Sequence, residues 1–345
     1  FVYDSLGMLR SATNPETGLV EYQYDDKGNM IGKKDGRVTV TMTYNERNQI
    51  KTKSYAPKPG VTMPVTAAVN YSYDEHPASR GQLTTVSSGV FTAKYTAFDL
   101  LGRVKASEQI VDGAAFRFAY GYWRNDQLSS MTYPSGRQVQ FDVDNAGRVQ
   151  HVRNGTQYYA TGVSYAAHQG ISGLQQGSGK HESWQYTSRL ETAGVKVGTA
   201  VGGSDLLGLS YQYMSNGNLQ YQTIQPLGVV QSYEYDSIGR VRRFTEGGVS
   251  QEYRYDRYGN RWVVSSNPQT IPVDPAQTPT AEGFYNGANN RLTGRSYDGA
   301  GNLESYSPWV AAYDGENRMV STTSGQNGNA AYEYDGLGRR VRRTV

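Results

Sequence analysis

The sequence predicts an all-β chain of tandem antiparallel hairpins, and three observations carry that expectation. A signature, Tyr-x-Tyr-Asp-x-x-Gly-(Arg/Asn)-(Leu/Val/Met), recurs from one end to the other, most clearly at Tyr22–Met30, Tyr233–Val241, Tyr253–Arg261 and Tyr332–Arg340. Between copies the apolar residues alternate with period two, and no 3.6-residue period is sustained. The 345 residues include 40 Gly and 29 Tyr, the punctuation and the packing material of short strands. A recurring unit of this kind marks a repeat architecture.

Each residue of the signature has a local reason. Tyr233 and Tyr235 are two apart, so on a strand they share a face. Asp236 opens a turn, where its carboxylate can accept backbone N–H bonds from residues just ahead. Gly239 sits where the chain needs positive φ, which glycine adopts without steric cost. Arg240 and Val241 begin the return strand, giving a hairpin whose turn is type I followed by a glycine bulge. Glu246-Gly247-Gly248 reads as the next turn, so one repeat supplies about two strands.

Following the residue after the last aromatic gives sixteen copies between Asp4 and Asp335, spaced mostly by about 21 residues. Copies at Trp123, Ala166, Thr187 and Met214 lack the Asp. The whole chain, 1–345, reads as one repeat domain with two proline-bearing insertions, near 56–68 and 265–283. Residues 170–208 are glycine-rich, and their strands are not legible from the pattern.

Composition limits the function classes. Charged residues make up 19%, below the usual quarter or so, and hydrophobic ones 37%. This suits an antiparallel sheet with a wetter face rather than a thick aliphatic core, with tyrosines packing between hairpins. The 34 basic and 31 acidic residues nearly balance, which gives no electrostatic case for nucleic acid. There is no Cys. No apolar run approaches the roughly 18 residues of a membrane span, and the sequence shows no targeting signal. Phe1 and Val345 fall inside or just after repeat copies, so the chain is expected to be part of something longer.

The repeated Tyr-Asp-x-x-Gly-Arg/Asn signature resembles that of the YD-repeat, or RHS-repeat, proteins along nearly the whole chain. Asn14-Pro15-Glu16-Thr17-Gly18 and the run from Tyr313-Asp314-Gly315-Glu316-Asn317-Arg318 to Tyr332-Glu333-Tyr334-Asp335 look like the bacterial branch. The resemblance implies a spiral antiparallel sheet of YD hairpins forming a hollow shell or part of one. Relatives include shell subunits of insecticidal toxin complexes, wall-associated polymorphic toxins and teneurins. In the toxins the shell encloses a C-terminal effector; in teneurins it is an adhesion scaffold. Toxin members also carry a self-cleaving core with an Asp-Pro-x-Gly segment. The one Asp-Pro here, Asp274-Pro275, lacks that context, so self-cleavage is not assigned.

The expected site residues are structural: Tyr22, Tyr24, Asp25, Gly28, Asp99, Gly102, Tyr233, Tyr235, Asp236, Gly239, Tyr253, Tyr255, Asp256, Gly259, Tyr332, Tyr334, Asp335 and Gly338. Trp123, Trp184, Trp262 and Trp309 could stack on sugars, against the plainer reading that they fill contacts between hairpins. Asp142 to Gly147 looks calcium-like but has Ala146 and Arg153 where an EF-hand loop needs an oxygen ligand and a Glu. Gly177-Ser178-Gly179-Lys180 has Leu174 and His181 where a phosphate loop needs Gly and Ser or Thr. His76, His151, His168 and His181 have no zinc-ligand spacing, and no nucleophile elbow is present. No cofactor, metal or catalytic residue is therefore expected.

The leading expectation is a structural shell around a fused or associated toxin polypeptide, in a secreted or cell-surface parent. The alternative is an extracellular adhesion or carbohydrate-binding scaffold, with a surface glycan or protein as partner.

Overall fold

The computed structural model describes residues 1–264, 274, 278–325 and 328–345. Of the 265–283 insertion, residues 265–273 and 275–277 lie outside the described residues, as does Pro275 of the Asp-Pro pair. The fold is all-β: twenty-four strands form one sheet and six a second, and the registered pairs are antiparallel strands adjacent in sequence. Among the described residues the one helical element is a single 3-10 turn, Glu282–Phe284. The chain divides into two compact units, residues 1–120 with 285–345, and residues 121–284.

The first unit holds most of the fully buried apolar side chains. Val38, Val40 and Met42 alternate along the strand Val38–Tyr44 and point to one face. Val69, Val86, Phe91 and Ala93 extend that buried set across the neighbouring hairpins. Burial here comes from a second layer: the six-stranded sheet from Ser296–Tyr297 to Arg340–Thr344 packs against these strands, as Gly336 beside Val69 and Val86 shows. The expected loop near 56–68 needs a correction at its start. Ala56 and Pro57 belong to the strand Ile50–Pro57, paired with Thr39 and Val38. Proline is tolerated there as the last residue, where the loop begins.

The second unit is thinner. Its fully buried hydrophobic residues are Val139 and Val263. Tyrosine and arginine supply much of the contact instead, with Arg137 over the rings of Tyr133 and Tyr159 and Arg261 over Tyr253. The glycine-rich stretch resolves into Ile171–Gln176, His181–Tyr186, Thr192–Gly198 and Leu207–Tyr213. It was unreadable because its strands use Gly173, Gly194 and Gly208 where others use tyrosine or valine.

The turns explain why degenerate copies still fold. At all but two of the sixteen positions, the residue in the Asp place and the residue four ahead close the hairpin through backbone bonds. For Ala166 the pair is Ala166 N to Gly170 O at 2.8 Å and Gln169 N to Ala166 O at 2.9 Å. The exceptions are Asp74, widened to Gln82, and Asn286, closed on Arg291. The same turn occurs at Tyr133 and Gln176, two positions the tyrosine pattern does not mark. Leu190 occupies the glycine place of its turn with φ 67°. A branched residue pays about 1–2 kcal/mol there, partly offset by the unfolded-state freedom of glycine. Leu190→Gly is expected to stabilise by about 0.5–1 kcal/mol, read as a higher denaturant midpoint at unchanged slope.

Candidate functional site

The signature residues form a stitch that binds each repeat to itself and to the next. In the copy at Asp236, one carboxylate oxygen accepts the N–H groups of Ile238 (3.1 Å) and Arg240 (2.9 Å). The other oxygen accepts Arg240 Nε at 2.7 Å. Asp25 and Asp256 repeat this with Asn29 Nδ2 (2.9 Å) and Asn260 Nδ2 (2.7 Å) in the arginine's place. That is why the signature admits Arg or Asn after Gly: both present an N–H to the second oxygen. The N–H of Arg240 is the largest influence holding the Asp236 carboxyl below its ordinary range. Asp99 and Asp335 are built alike, through Arg103 and Arg339. Gly28, Gly102, Gly239, Gly259 and Gly338 all sit at positive φ.

The second tyrosine reaches back one repeat. Tyr235 Oη donates to Leu219 O at 2.7 Å, Tyr255 to Val241 O at 2.8 Å, and Tyr334 to Met319 O at 2.8 Å. The acceptor is in each case the apolar residue that closes the previous signature. The arginine reaches forward to meet it. Arg240 stacks on the Tyr255 ring at 4.4 Å and Arg318 on Tyr334 at 4.7 Å; in the first copy, where Met8 holds the signature place, Arg10 two residues on lies over Tyr24 at 5.5 Å. The first tyrosine has a separate role: Tyr233 and Tyr253 donate to Gln231 and Gln251 on their own strands. Tyr332 lies under Arg340, and Tyr22 pairs across the hairpin with Lys33.

The four tryptophans occupy four different hairpins. Trp123 follows the strand Ala114–Tyr122 and donates its indole N–H to Phe141 O at 3.0 Å. Trp184, Trp262 and Trp309 lie in His181–Tyr186, Arg261–Val263 and Trp309–Tyr313. Gly177 to Lys180 forms an ordinary hairpin turn. Asp142 is held by Arg153, whose hydrogen bond is the largest influence lowering its carboxyl. Among the described residues no group of three or more His, Asp or Glu is placed to hold a metal.

The arrangement that sequence reasoning missed is a clasp inside the first unit. Arg37, itself buried, pairs with Asp298 and donates to the carbonyls of Tyr313 (3.4 Å) and Asp314. Glu316 accepts from Lys53 and from Tyr55 Oη, the latter at 2.6 Å. Gly315 N donates to Thr66 Oγ1 at 2.7 Å, and Tyr71 Oη to Gly336 O at 3.3 Å. Further along, Arg291 Nε donates to Glu16 O at 3.0 Å. The contacts advance together, 16 with 291, 37 with 298, 55 with 316 and 71 with 336. The two stretches therefore run side by side in the same direction. The Thr66 contact also gives the proline-bearing insertion a holding role.

Burial raises the Glu316 carboxyl, but the bonds from Lys53 and Tyr55 outweigh it and hold it below the ordinary 4.5. Burial, then the bond to Glu316, pushes the Tyr55 phenol far above 10.0. A depressed carboxyl stabilises above its unfolded value and loses that contribution as pH falls through its folded value. A raised phenol stabilises below 10.0 and loses its contribution as pH climbs above that. The clasp is expected to be tightest between these limits. Hydrogen-exchange protection of Gly315 and Glu316 should fall as the pH drops below the ordinary carboxylate range, while turns far from the clasp respond separately. Unchanged protection in acid would show that Glu316 is not bonded as described.

The family described as Teneurin YD-shell matches residues 31–223. The chain is 26% identical over 232 residues to the tRNA3(Ser)-specific nuclease WapA of Bacillus spizizenii and, at the same identity and length, to the tRNA nuclease WapA of Bacillus subtilis. Those matches cover 64% of this chain and 10% of each relative, so the chain spans about a tenth of their length. Its fold is similar to that in the Photorhabdus luminescens Tc holotoxin pore (TM-score 0.80, 15% identity). It is equally similar to TcdB2-TccC3 without its hypervariable C-terminal region (TM-score 0.81, 14% identity). Both matches cover 98% of this chain and 20% of the other, and at such identity they establish the fold alone. With more than half its length matched by one family, the chain belongs to the Teneurin YD-shell family.

Proposed function

We propose that this chain is a length of shell wall that encloses a toxin or effector polypeptide in a secreted or cell-surface parent protein, acting as one repeat domain and doing no chemistry itself. The observation that carries this reading is the likeness of 98% of the chain to the Tc holotoxin fold, joined to its place in the YD-shell family. The hairpins lend themselves to the task. Adjacent strands satisfy one another's backbone groups, so a long sheet leaves few edges for stray pairing. The stitch ties neighbouring hairpins together without a thick core, through tyrosine hydroxyls on backbone carbonyls and arginines over tyrosine rings.

The test is protease protection in the parent protein. A cargo segment inside the wall should survive a protease dose that digests the same segment expressed alone, and should be lost once the wall is unfolded. Equal digestion rates in the intact parent and the free segment would sink the reading. Adhesion or glycan binding is a second reading, favoured by Trp123 and Trp309, which remain 40% and 36% exposed. A glycan array with Trp123→Ala and Trp309→Ala variants separates the two: a binding signal lost in either variant supports adhesion.

A further inference from the structure

The signature turns that form the clasp share a residue that the others lack. Ten copies of the signature carry Asp, and the residue after it is glycine in three of them, Gly299, Gly315 and Gly336. The other seven have a side chain at that place, from Ser237 to Leu100, which is 100% exposed. In the sequence alone each of the three passes for an ordinary turn glycine. None is there for its backbone, because the positive φ of these turns falls two residues later, on Gly301, Asn317 and Gly338. The reason is room. A Cβ at Gly299 would lie 2.8 Å from Gly36 O, one at Gly315 3.0 Å from the Tyr55 ring, and one at Gly336 2.6 Å from a methyl of Val69 and of Val86. Backbone cannot swing aside, and a β-branched side chain has few rotamers to retreat to. Gly287, which follows Asn rather than Asp, meets nothing within 4 Å, so the glycine permits such a contact without producing it.

We propose that the row Gly36, Tyr55, Thr66, Val69 and Val86 is a recognition surface for Asp-Gly turns, and that the glycine after the signature Asp admits a turn to it. Admission does not choose among three glycine turns. The next residue does, because Ala300, Glu316 and Leu337 differ in size and charge. The seat at Tyr55 takes Glu316, which accepts from Tyr55 Oη at 2.6 Å and pairs with the Lys53 ammonium. Slipping the strip by one seat would put that carboxylate in the place of Ala300, which is 7% exposed, and set Leu337 against Lys53. A buried carboxylate without a partner and a cation without its acid both oppose the slip. Glu316 is thus the register-setting residue, and the glycines are the residues that let the register form. The inference concerns contacts inside the first unit and needs no enclosed cargo, so it stands apart from the shell-wall reading.

Substitutions in the intact 345-residue chain, read by hydrogen exchange, test the proposal. Gly336→Ser gives the last turn the residue that stands exposed at Ser237. Amides of Val69–Tyr73 and Leu83–Ser88 should then exchange about 10- to 100-fold faster, the result of overpacking a tight contact. The strands Val229–Tyr235 and Val241–Glu246, in the second unit, should keep their parental rates. The reciprocal Ser237→Gly should change rates in those strands by no more than about 5-fold, the backbone-entropy effect of glycine alone. The choice of register is tested at Glu316. Lys53→Glu and Glu316→Lys should each free the Gly315 amide, which donates to Thr66 Oγ1, and the double variant should restore most of its protection. The charge pair leaves every glycine in place, so bad packing cannot imitate that recovery. Four results overturn the proposal: parental rates at the Val69 seat in Gly336→Ser, an equal loss in both units, an effect of Ser237→Gly as large as that of Gly336→Ser, or a double variant no better protected than the single ones.

Discussion

Gly36→Ala is expected to lower stability by about 3 kcal/mol, the upper end of the cost of overpacking a tight contact. A Cβ at Gly36 would meet the backbone of Gly299, and one at Gly299 would lie 2.8 Å from Gly36 O. Backbone faces backbone, so no side chain can swing aside. Relief requires lifting the C-terminal sheet off the strands beneath it. That would expose the apolar set around Val38, Val40 and Met42. Thermal melting and exchange protection of Val38–Tyr44 should therefore fall together. Gly283→Ala is the control, because a Cβ there meets open space. A Gly36→Ala protein that melts like its parent would show that the two chain segments do not touch in solution.

Arg37→Met is the second large effect, expected at about 3–5 kcal/mol, as for breaking a buried ion pair from one side. The loss has two parts. The Asp298 carboxylate, 7% exposed, keeps its own turn donors but loses its counter-charge. The carbonyls of Tyr313 and Asp314 lose a donor that methionine cannot replace. Arg37→Lys should fall in between, because one ammonium keeps the charge but cannot span a carboxylate and two carbonyls. Denaturant midpoints ranking parent above Lys above Met would support this account. Equal loss in Lys and Met would show that the fork, not the charge, holds the sheet.

These two residues also mark where the sequence stopped being legible. The hairpin and its turn could be read residue by residue, because each role is local. Asp236, Gly239 and Arg240 act within five positions of one another. Even the copies without Asp keep the turn, since backbone bonds close it. Thr187 Oγ1 accepts from Arg189 and Glu191 much as Asp does elsewhere. The turns at Tyr133 and Gln176 left a fainter trace: Gly136-Arg137 and Gly179-Lys180 repeat the glycine-basic pair without the tyrosines. The clasp left none. Asp35-Gly36-Arg37 is indistinguishable from any tight turn, with Asp35 accepting the N–H groups of Arg37 and Val38. Its partners lie some 260 residues away, at positions whose composition also fits an ordinary repeat. Contacts at that separation are set by how a long strip comes back beside itself, and single-sequence periodicity does not encode that.

The forward reach of the residue after Gly has an evolutionary consequence. Asn29 Nδ2 donates to Asn48 and Asn302 Nδ2 to Asn317, residues that occupy the glycine place of the following turn at φ 60° and 61°. Gln82 Nε2 reaches the carbonyl of Gly102 in the same manner. At these two turns, asparagine in the glycine place thus takes a bond from an amide one turn upstream, and the two would have to be exchanged as a couple. The unit expected to be exchangeable without loss at these turns is therefore not the hairpin but the junction between two hairpins. Recombination that cuts between Asn302 and Asn317 leaves a left-handed asparagine without its partner. Breakpoints that preserve function should therefore fall inside hairpins, and lineages of such walls should grow by copying joints rather than bricks.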